Sequence, residues 1–298
     1  MERTENKTSV ALGFFDGVHR GHQAVIRRAV ELSGESLTPA VFTFLPSAHM
    51  PARKAGSGLL CTEAQKEEEL GRLGVRLVSA PAFDEIRDIT GEDFVKKTLW
   101  EAMGARVLCC GEDFRFGRGA AFAVRELREL CGSLGIRLEV VPPVLDAGEP
   151  VSSTRIRAAV SAGEMETARR LLGRHFSLSF PVVHGRRLGR RLGFPTINQV
   201  IPERFILPRF GVYAAFATWK GKAYPAVVNV GVKPTVGAER PLAETYIAGF
   251  DGDLYGETVP VSLVSFLRPE RKFSSVEALR EQIARDAVSA EALLREKD

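Results

Sequence analysis

The chain has 298 residues, enough for two ordinary domains with a core each. Apolar residues make up 45% and charged residues 26%, a globular balance that excludes extensive disorder; no apolar run reaches the roughly 18 residues of a membrane span, and Met1-Glu2-Arg3-Thr4-Glu5 lacks the apolar stretch of a secretory leader. A net charge of +4 is too small to imply nucleic acid, and Cys61, Cys109, Cys110 and Cys131 show no CxxC spacing, which argues against zinc or a disulfide framework and for a reducing, cytoplasmic setting.

From residue 9 to about 173 the pattern alternates strand and helix. Ser9 to Leu12 reads as a strand and Gly21 to Leu32 as a helix, followed by a strand over Pro39 to Leu45. Thr62-x-x-Gln65 opens the next helix, stopped by Gly74 before a strand at Val75 to Ser79. Thr90-x-x-Asp93 begins a helix ending at Gly104. Then come strand Arg106 to Cys110, helix Ala123 to Leu134, strand Ile136 to Val141, an irregular Pro/Gly stretch, and helical turns over Ser153 to Leu172. Repeated βα units predict a Rossmann-like, doubly wound parallel sheet. After Gly173 the pattern changes to consecutive strands: Phe176 to Val183, Val212 to Trp219, Ala223 to Val230, Ala243 to Phe250 and Thr258 to Leu267. A capping box at Ser274-x-x-Glu277 opens a last helix. The second half therefore reads as an antiparallel β-barrel with one C-terminal helix, and the domains as 1–175 and 176–298.

Three clusters of the first half sit where a βα sheet binds ligands, at strand ends and helix starts. Gly13-Phe14-Phe15-Asp16-Gly17-Val18-His19-Arg20-Gly21-His22 follows the first strand and puts two histidines three residues apart, in front of a helix N-terminus with its free N–H groups and positive dipole end. Donors fixed at such a point suit a nucleotide whose α-phosphorus is under attack. Gly111-Glu112-Asp113-Phe114-Arg115-Phe116-Gly117 follows a second strand. Ser152-Ser153-Thr154-Arg155-Ile156-Arg157 opens a helix with hydroxyls, backbone N–H groups and arginines fit for phosphate. Taken singly, the last is an ordinary N-cap and the Asp113 cluster a solvated turn.

The HxGH turn resembles the signature of the nucleotidylyltransferase superfamily. With the other two clusters in this order, the first half resembles the adenylyltransferase half of the prokaryotic bifunctional riboflavin kinase/FMN adenylyltransferase family. That resemblance implies that His19 and His22 hold and polarise the ATP phosphates, with Gly13, Phe15, Asp16, Gly17 and Gly21 shaping the phosphate loop. Ser153, Thr154 and Arg157 grip the phosphates that leave as pyrophosphate, and Asp113 and Phe114 line the flavin side. The chain departs from the family at Leu45 and Ser47, where the family often carries an acidic residue and then Pro-His-Pro.

The barrel half carries matching features. Gly185, Gly189 and Gly193, four apart, lead into Phe194-Pro195-Thr196-Ile197-Asn198. Glycines let backbone approach phosphate, and Thr196 and Asn198 offer hard oxygens to a magnesium ion carried by ATP. The loop lacks the Gly-Lys-Ser/Thr of a Walker A motif. Glu244 lies in a strand pattern that turns it the same way as Tyr246. On the inner face of a barrel a carboxylate needs a partner or a function, whereas on the outer face it is an ordinary solvated residue. The resemblance implies that Glu244 is the kinase general base, that 185–198 is the family's Gly-x3-Gly-x3-Gly-x-Pro-Thr-x-Asn motif, and that Asn229-Val230-Gly231 with Pro234-Thr235 lies near the flavin. Tyr246 and Gly249 stand where the family commonly has His and Asp.

The expectation is a two-step flavin enzyme that phosphorylates riboflavin to FMN and adenylylates FMN to FAD, using ATP and Mg2+, without nucleic acid or membrane partners and with self-association left open. Two other readings stand beside it: a nucleotidylyltransferase for another acceptor, such as a pantetheine phosphate or nicotinate mononucleotide, and a non-enzymatic flavin- or RNA-binding module using the arginines at 186–191.

Overall fold

The computed structural model describes residues 7–47, 58–185, 189, 193–235 and 238–295. Contacts divide the chain into two compact units, Met1–Gly56 with Glu63–Ser153, and Ser57–Thr62 with Thr154–Asp298. The expected break lay between 175 and 176.

In the first unit β1 (Thr8–Leu12), α1 (Arg20–Ser33), β2 (Thr38–Phe42), α2 (Glu63–Arg72), β3 (Leu77–Ser79) and the short α3 (Phe83–Ile86) come first. A helical segment α4 follows, Gly91–Asp93 running into a π-helical stretch Phe94–Ala102, then β4 (Ala105–Gly111), α5 (Val124–Leu134) and β5 (Arg137–Val141). The strands form one parallel sheet in the order β3-β2-β1-β4-β5. All five residues of β1 are buried, as a strand covered on both faces requires. Alternate residues serve opposite cores: Val10 and Leu12 pack with Phe94, Leu99 and Leu127 of α4 and α5, whereas Ala11 packs with Ile26, Ala29 and Leu70 of α1 and α2. Strand order reverses at β1, so the crevice between the carboxyl ends of β1 and β4 is the place for a ligand.

Local chemistry sets several element ends. The Thr90 hydroxyl accepts from the Asp93 N–H at 3.2 Å, as its cap pattern predicts. The helix it opens soon widens into π winding, closed by Met103 N–H to Thr98 O at 3.1 Å, which the sequence periodicity does not distinguish from α. The stretch read as irregular holds a small hairpin, β6 (Leu145–Asp146) and β7 (Glu149–Pro150), turned by Ala147 and Gly148 with φ of 52° and 82°.

The second unit starts with α6 (Ser153–Ala162, whose first residue belongs to the first unit) and α7 (Met165–Leu172). Six strands follow: β8 (Phe176–Val183), β9 (Thr196–Val200), β10 (Gly211–Trp219), β11 (Lys222–Thr235), β12 (Ala238–Ile247) and β13 (Thr258–Arg268). They close a barrel in the order β10-β11-β12-β9-β8-β13. β9 corrects the five-strand reading, in which Thr196 to Asn198 is the end of a glycine-rich loop and no strand is assigned between 184 and 211. Ala243, Thr245 and Gln199 are wholly buried inside, and the Gln199 amide donates to the carbonyls of Phe180 and Val259 at 2.6 and 2.8 Å. The last helix, α8 (Val276–Arg295), lays Ala290 and Leu294 on the outer wall against Val212, Ala214, Val227 and Val264. Its cap is Ser275, whose Oγ accepts from Ala278 N–H at 3.1 Å, one residue beyond the expected Ser274. Arg268 and the buried Asp286 anchor it at 2.7 Å. No helix among the described residues is long and apolar enough to cross a membrane. All four cysteines are buried thiols outside any disulfide.

Candidate functional sites

At the end of β1 the backbone takes unusual conformations. Phe15 and Val18 have φ of 54° and 39°, in the left-handed region that L residues avoid, and Gly17 lies at 80°. The fold holds them there by burying both side chains completely and tying the loop down: Thr43 Oγ1 donates to Phe14 O at 2.9 Å, and Gln23 Nε2 donates to Val18 O at 2.9 Å. Gly13 has no side chain because the Phe15 ring occupies its place; a Cβ there would come within 2.7 Å of it.

The result is a fixed histidine pair. His19 is the N-cap of α1, whose first residue, Arg20, lies one before the expected start at Gly21, and its Nδ1 accepts the backbone N–H of His22 at 3.2 Å. A nitrogen that accepts carries no proton, so the His19 hydrogen sits on Nε2. The two rings stack at 3.5 Å and 18°, and the buried Phe15 meets His22 edge-on at 5.3 Å. Asp16 is buried, and its carbonyl accepts the Ser153 hydroxyl proton at 3.2 Å, which ties Ser153 to the histidine loop within the first unit. Gly21 packs under Val151 O and the His19 ring. Asp113 is exposed just past β4, the strand beside β1, and Phe114 stacks on Phe116 at 5.7 Å.

Thr154 and Arg157 belong to the second unit. They line a cleft of about 300 Å³ with Ala158, Ser161 and Ile206. Arg157 is buried, and its Nε donates to Gly58 O at 2.8 Å.

On the barrel, strand register assembles the other sequence-predicted residues. Glu244 pairs with Asn198 on one side and Asn229 on the other, and Tyr246 pairs with Thr196. Register partners point to the same side of a sheet. Thr196, Asn198, Glu244, Tyr246 and Asn229 therefore share one face. It is the outer face, since their neighbours Ala243 and Thr245 are the ones buried within. The half-buried Glu244 is thus neither an inner-wall carboxylate nor an isolated surface one. Asn198 Oδ1 and Asn229 Oδ1 are buried and have no hydrogen-bond partner among the described residues. An orphaned amide oxygen beside a threonine hydroxyl is a donor set that suits a hard divalent cation such as magnesium.

The glycines have a nearer task than the expected approach to phosphate. Gly185 lies on the Asn198 amide, where a Cβ would be 2.8 Å from Cγ, and Gly189 lies 3.2 Å by the same measure from Thr196 Oγ1. Gly193 takes φ of 83° to turn into Phe194, whose ring meets Tyr246 at 5.2 Å. The arginines at 186, 187, 190 and 191 lie outside the described residues. Sequence reasoning missed Glu270, which accepts from Asn229 Nδ2 at 3.2 Å; no local pattern links positions 41 residues apart.

Neither site presents a nucleophilic thiol. Burial pushes Cys109 and Cys110 up to about 12 and Cys131 up to about 11.

Comparison with known proteins is consistent along the whole chain. Residues 1–155 match the family described as FAD synthetase, and residues 172–294 the family described as riboflavin kinase. A bifunctional riboflavin kinase/FMN adenylyltransferase of Pseudomonas fluorescens is 36% identical over 98% of this chain and 94% of its own length. The protein of the same name from Escherichia coli K12 is 33% identical over 94% and 91%. A solved structure from Streptococcus pneumoniae, described as a macrolide-efflux protein, is similar at a TM-score of 0.84, with 32% identity over 97% of this chain and 95% of that one.

Proposed function

The chain belongs to the bifunctional riboflavin kinase/FMN adenylyltransferase family, and from that premise we propose how its two sites divide the work. The protein phosphorylates riboflavin to FMN with ATP and adenylylates FMN to FAD with release of pyrophosphate. What carries the division is that one chain holds an acceptor row centred on Glu244 and, in another unit, a donor pair at the start of α1.

On the barrel, Glu244 takes the proton of the terminal ribityl hydroxyl. The freed oxygen attacks the γ-phosphorus, the bond to the β-bridging oxygen breaks, and ADP leaves. Thr196 and Asn198 would hold magnesium, which when bound spreads the negative charge of the transferring phosphoryl group. Asn229 stands on the flavin side of Glu244.

In the first unit the nucleophile is the FMN phosphate. It is already an anion, so no base is needed. It attacks the α-phosphorus of a second ATP and pyrophosphate departs. His19 Nε2–H, the His22 ring and the N-terminus of α1 stabilise the charge that accumulates, while Asp113 and Phe114 face the flavin. No covalent enzyme intermediate is required, because positioning and electrostatics suffice for both transfers. A cytoplasmic location belongs to the same reading.

Incubation with riboflavin, ATP and magnesium, followed by chromatography of the flavins, tests it. FMN should appear first and FAD after it. A protein that makes neither, or that makes FAD only from another acceptor chemistry, contradicts the proposal.

A further inference from the structure

The bond between Asn229 Nδ2 and Glu270 Oε1, at 3.2 Å, decides which way the Asn229 amide faces. A carboxylate can only accept, so it selects the NH2 end and turns Oδ1 away from itself. That oxygen is the buried, unpartnered one, on a residue in register with Glu244. Gly231, two positions along the same strand and on the same face, makes room for Glu270: a Cβ there would stand 2.6 Å from its Cδ and 2.7 Å from Oε2.

We infer that Glu270 is a positioning residue of the kinase site, holding Asn229 so that an oxygen rather than an NH2 lies beside Glu244, and that Gly231 is glycine to admit it. The inference rests on the kinase reading of the barrel. Turned over, the Asn229 NH2 would donate to the Glu244 carboxylate and occupy a lone pair that must receive the ribityl proton. Held as it is, Asn229 adds an acceptor beside Glu244, opposite Asn198. Glu244 and Asn229 Oδ1 side by side match a ligand that carries neighbouring hydroxyl donors, as a ribityl chain does.

The test is steady-state kinase turnover of E270A, E270Q, G231A and the E270A/G231A double variant, with the thermal unfolding midpoint and far-UV circular dichroism as the measures of intact folding. E270A should lose about tenfold in kcat, the effect of one hydrogen bond to a charged group, with KM for ATP unchanged. E270Q should restore turnover to within about twofold, because a glutamine oxygen accepts the same N–H. G231A should reproduce the E270A defect, and the double variant should be no worse than either single one. Wild-type turnover in E270A, an E270Q as impaired as E270A, or additive losses in the double variant would overturn the inference while leaving the kinase reading intact. A wild-type protein unable to make FMN would overturn both.

Discussion

On the proposed mechanism the two sites handle the same triphosphate with opposite chemistry. Around His19 and His22 the characteristic groups are donors: an imidazole N–H whose tautomer is fixed by the His22 backbone, and the opening of α1. Around Glu244 the flanking groups are acceptors, the amide oxygens of Asn198 and Asn229. The difference follows from the nucleophiles. A phosphate monoester arrives with its charge and asks only that growing charge be stabilised, whereas an alcohol must first lose a proton. The scaffolds suit these tasks. A parallel sheet delivers helix N-termini to its strand ends, and a barrel wall sets side chains from distant strands in register.

Exchanging or deleting the central groups should break this contrast cleanly. The largest effect expected is from E244Q, which removes the proposed base but not the shape: FMN formation should fall by about 10²- to 10⁴-fold, with adenylylation of supplied FMN unaffected. Next comes H22A, expected to lower FAD formation from FMN by about 10²- to 10³-fold, the scale of one charge-stabilising donor, while FMN accumulates. If either substitution abolished both activities in a folded protein, the separation of tasks would be wrong. A smaller change sharpens the picture. S153A removes the hydroxyl that bonds to Asp16 O within the first unit and should slow adenylylation about fivefold, leaving riboflavin phosphorylation at its original rate. Smallest of all is A147N, which puts a residue tolerant of φ near 52° into the β6–β7 turn. It should stabilise the protein by about 0.5 kcal/mol, read as a slight rise in Tm with neither activity altered.

Much of this was legible in local pattern. The βα alternation, the Thr90 cap and the strand over Phe176 to Val183 were found as expected, because helix and strand periodicity and cap chemistry act over a few residues. The misses share a cause. β9 was hidden because its residues Thr196 and Asn198 read as a ligand motif, and its partners Glu244 and Tyr246 lie almost fifty positions away. The cap of α8 fell on Ser275 instead of Ser274, a choice between adjacent serines that only the helix's docking against Val212 and Val227 could make. The π winding after Asp93 likewise leaves no mark in composition.

Which chemistries the chain could perform was written in residue identity and order: the histidine spacing, the glycine-rich approach to Thr196 and Asn198, a lone glutamate in a strand. Whether those groups could act together was decided by the fold. Inter-strand register places Glu244 between two amide oxygens on the barrel's outer side, and Glu270, from beyond β13, orients one of them. Hydrogen-bond register between remote strands has no local sequence signature, because a slip of one residue leaves every propensity unchanged and turns every side chain to the opposite face.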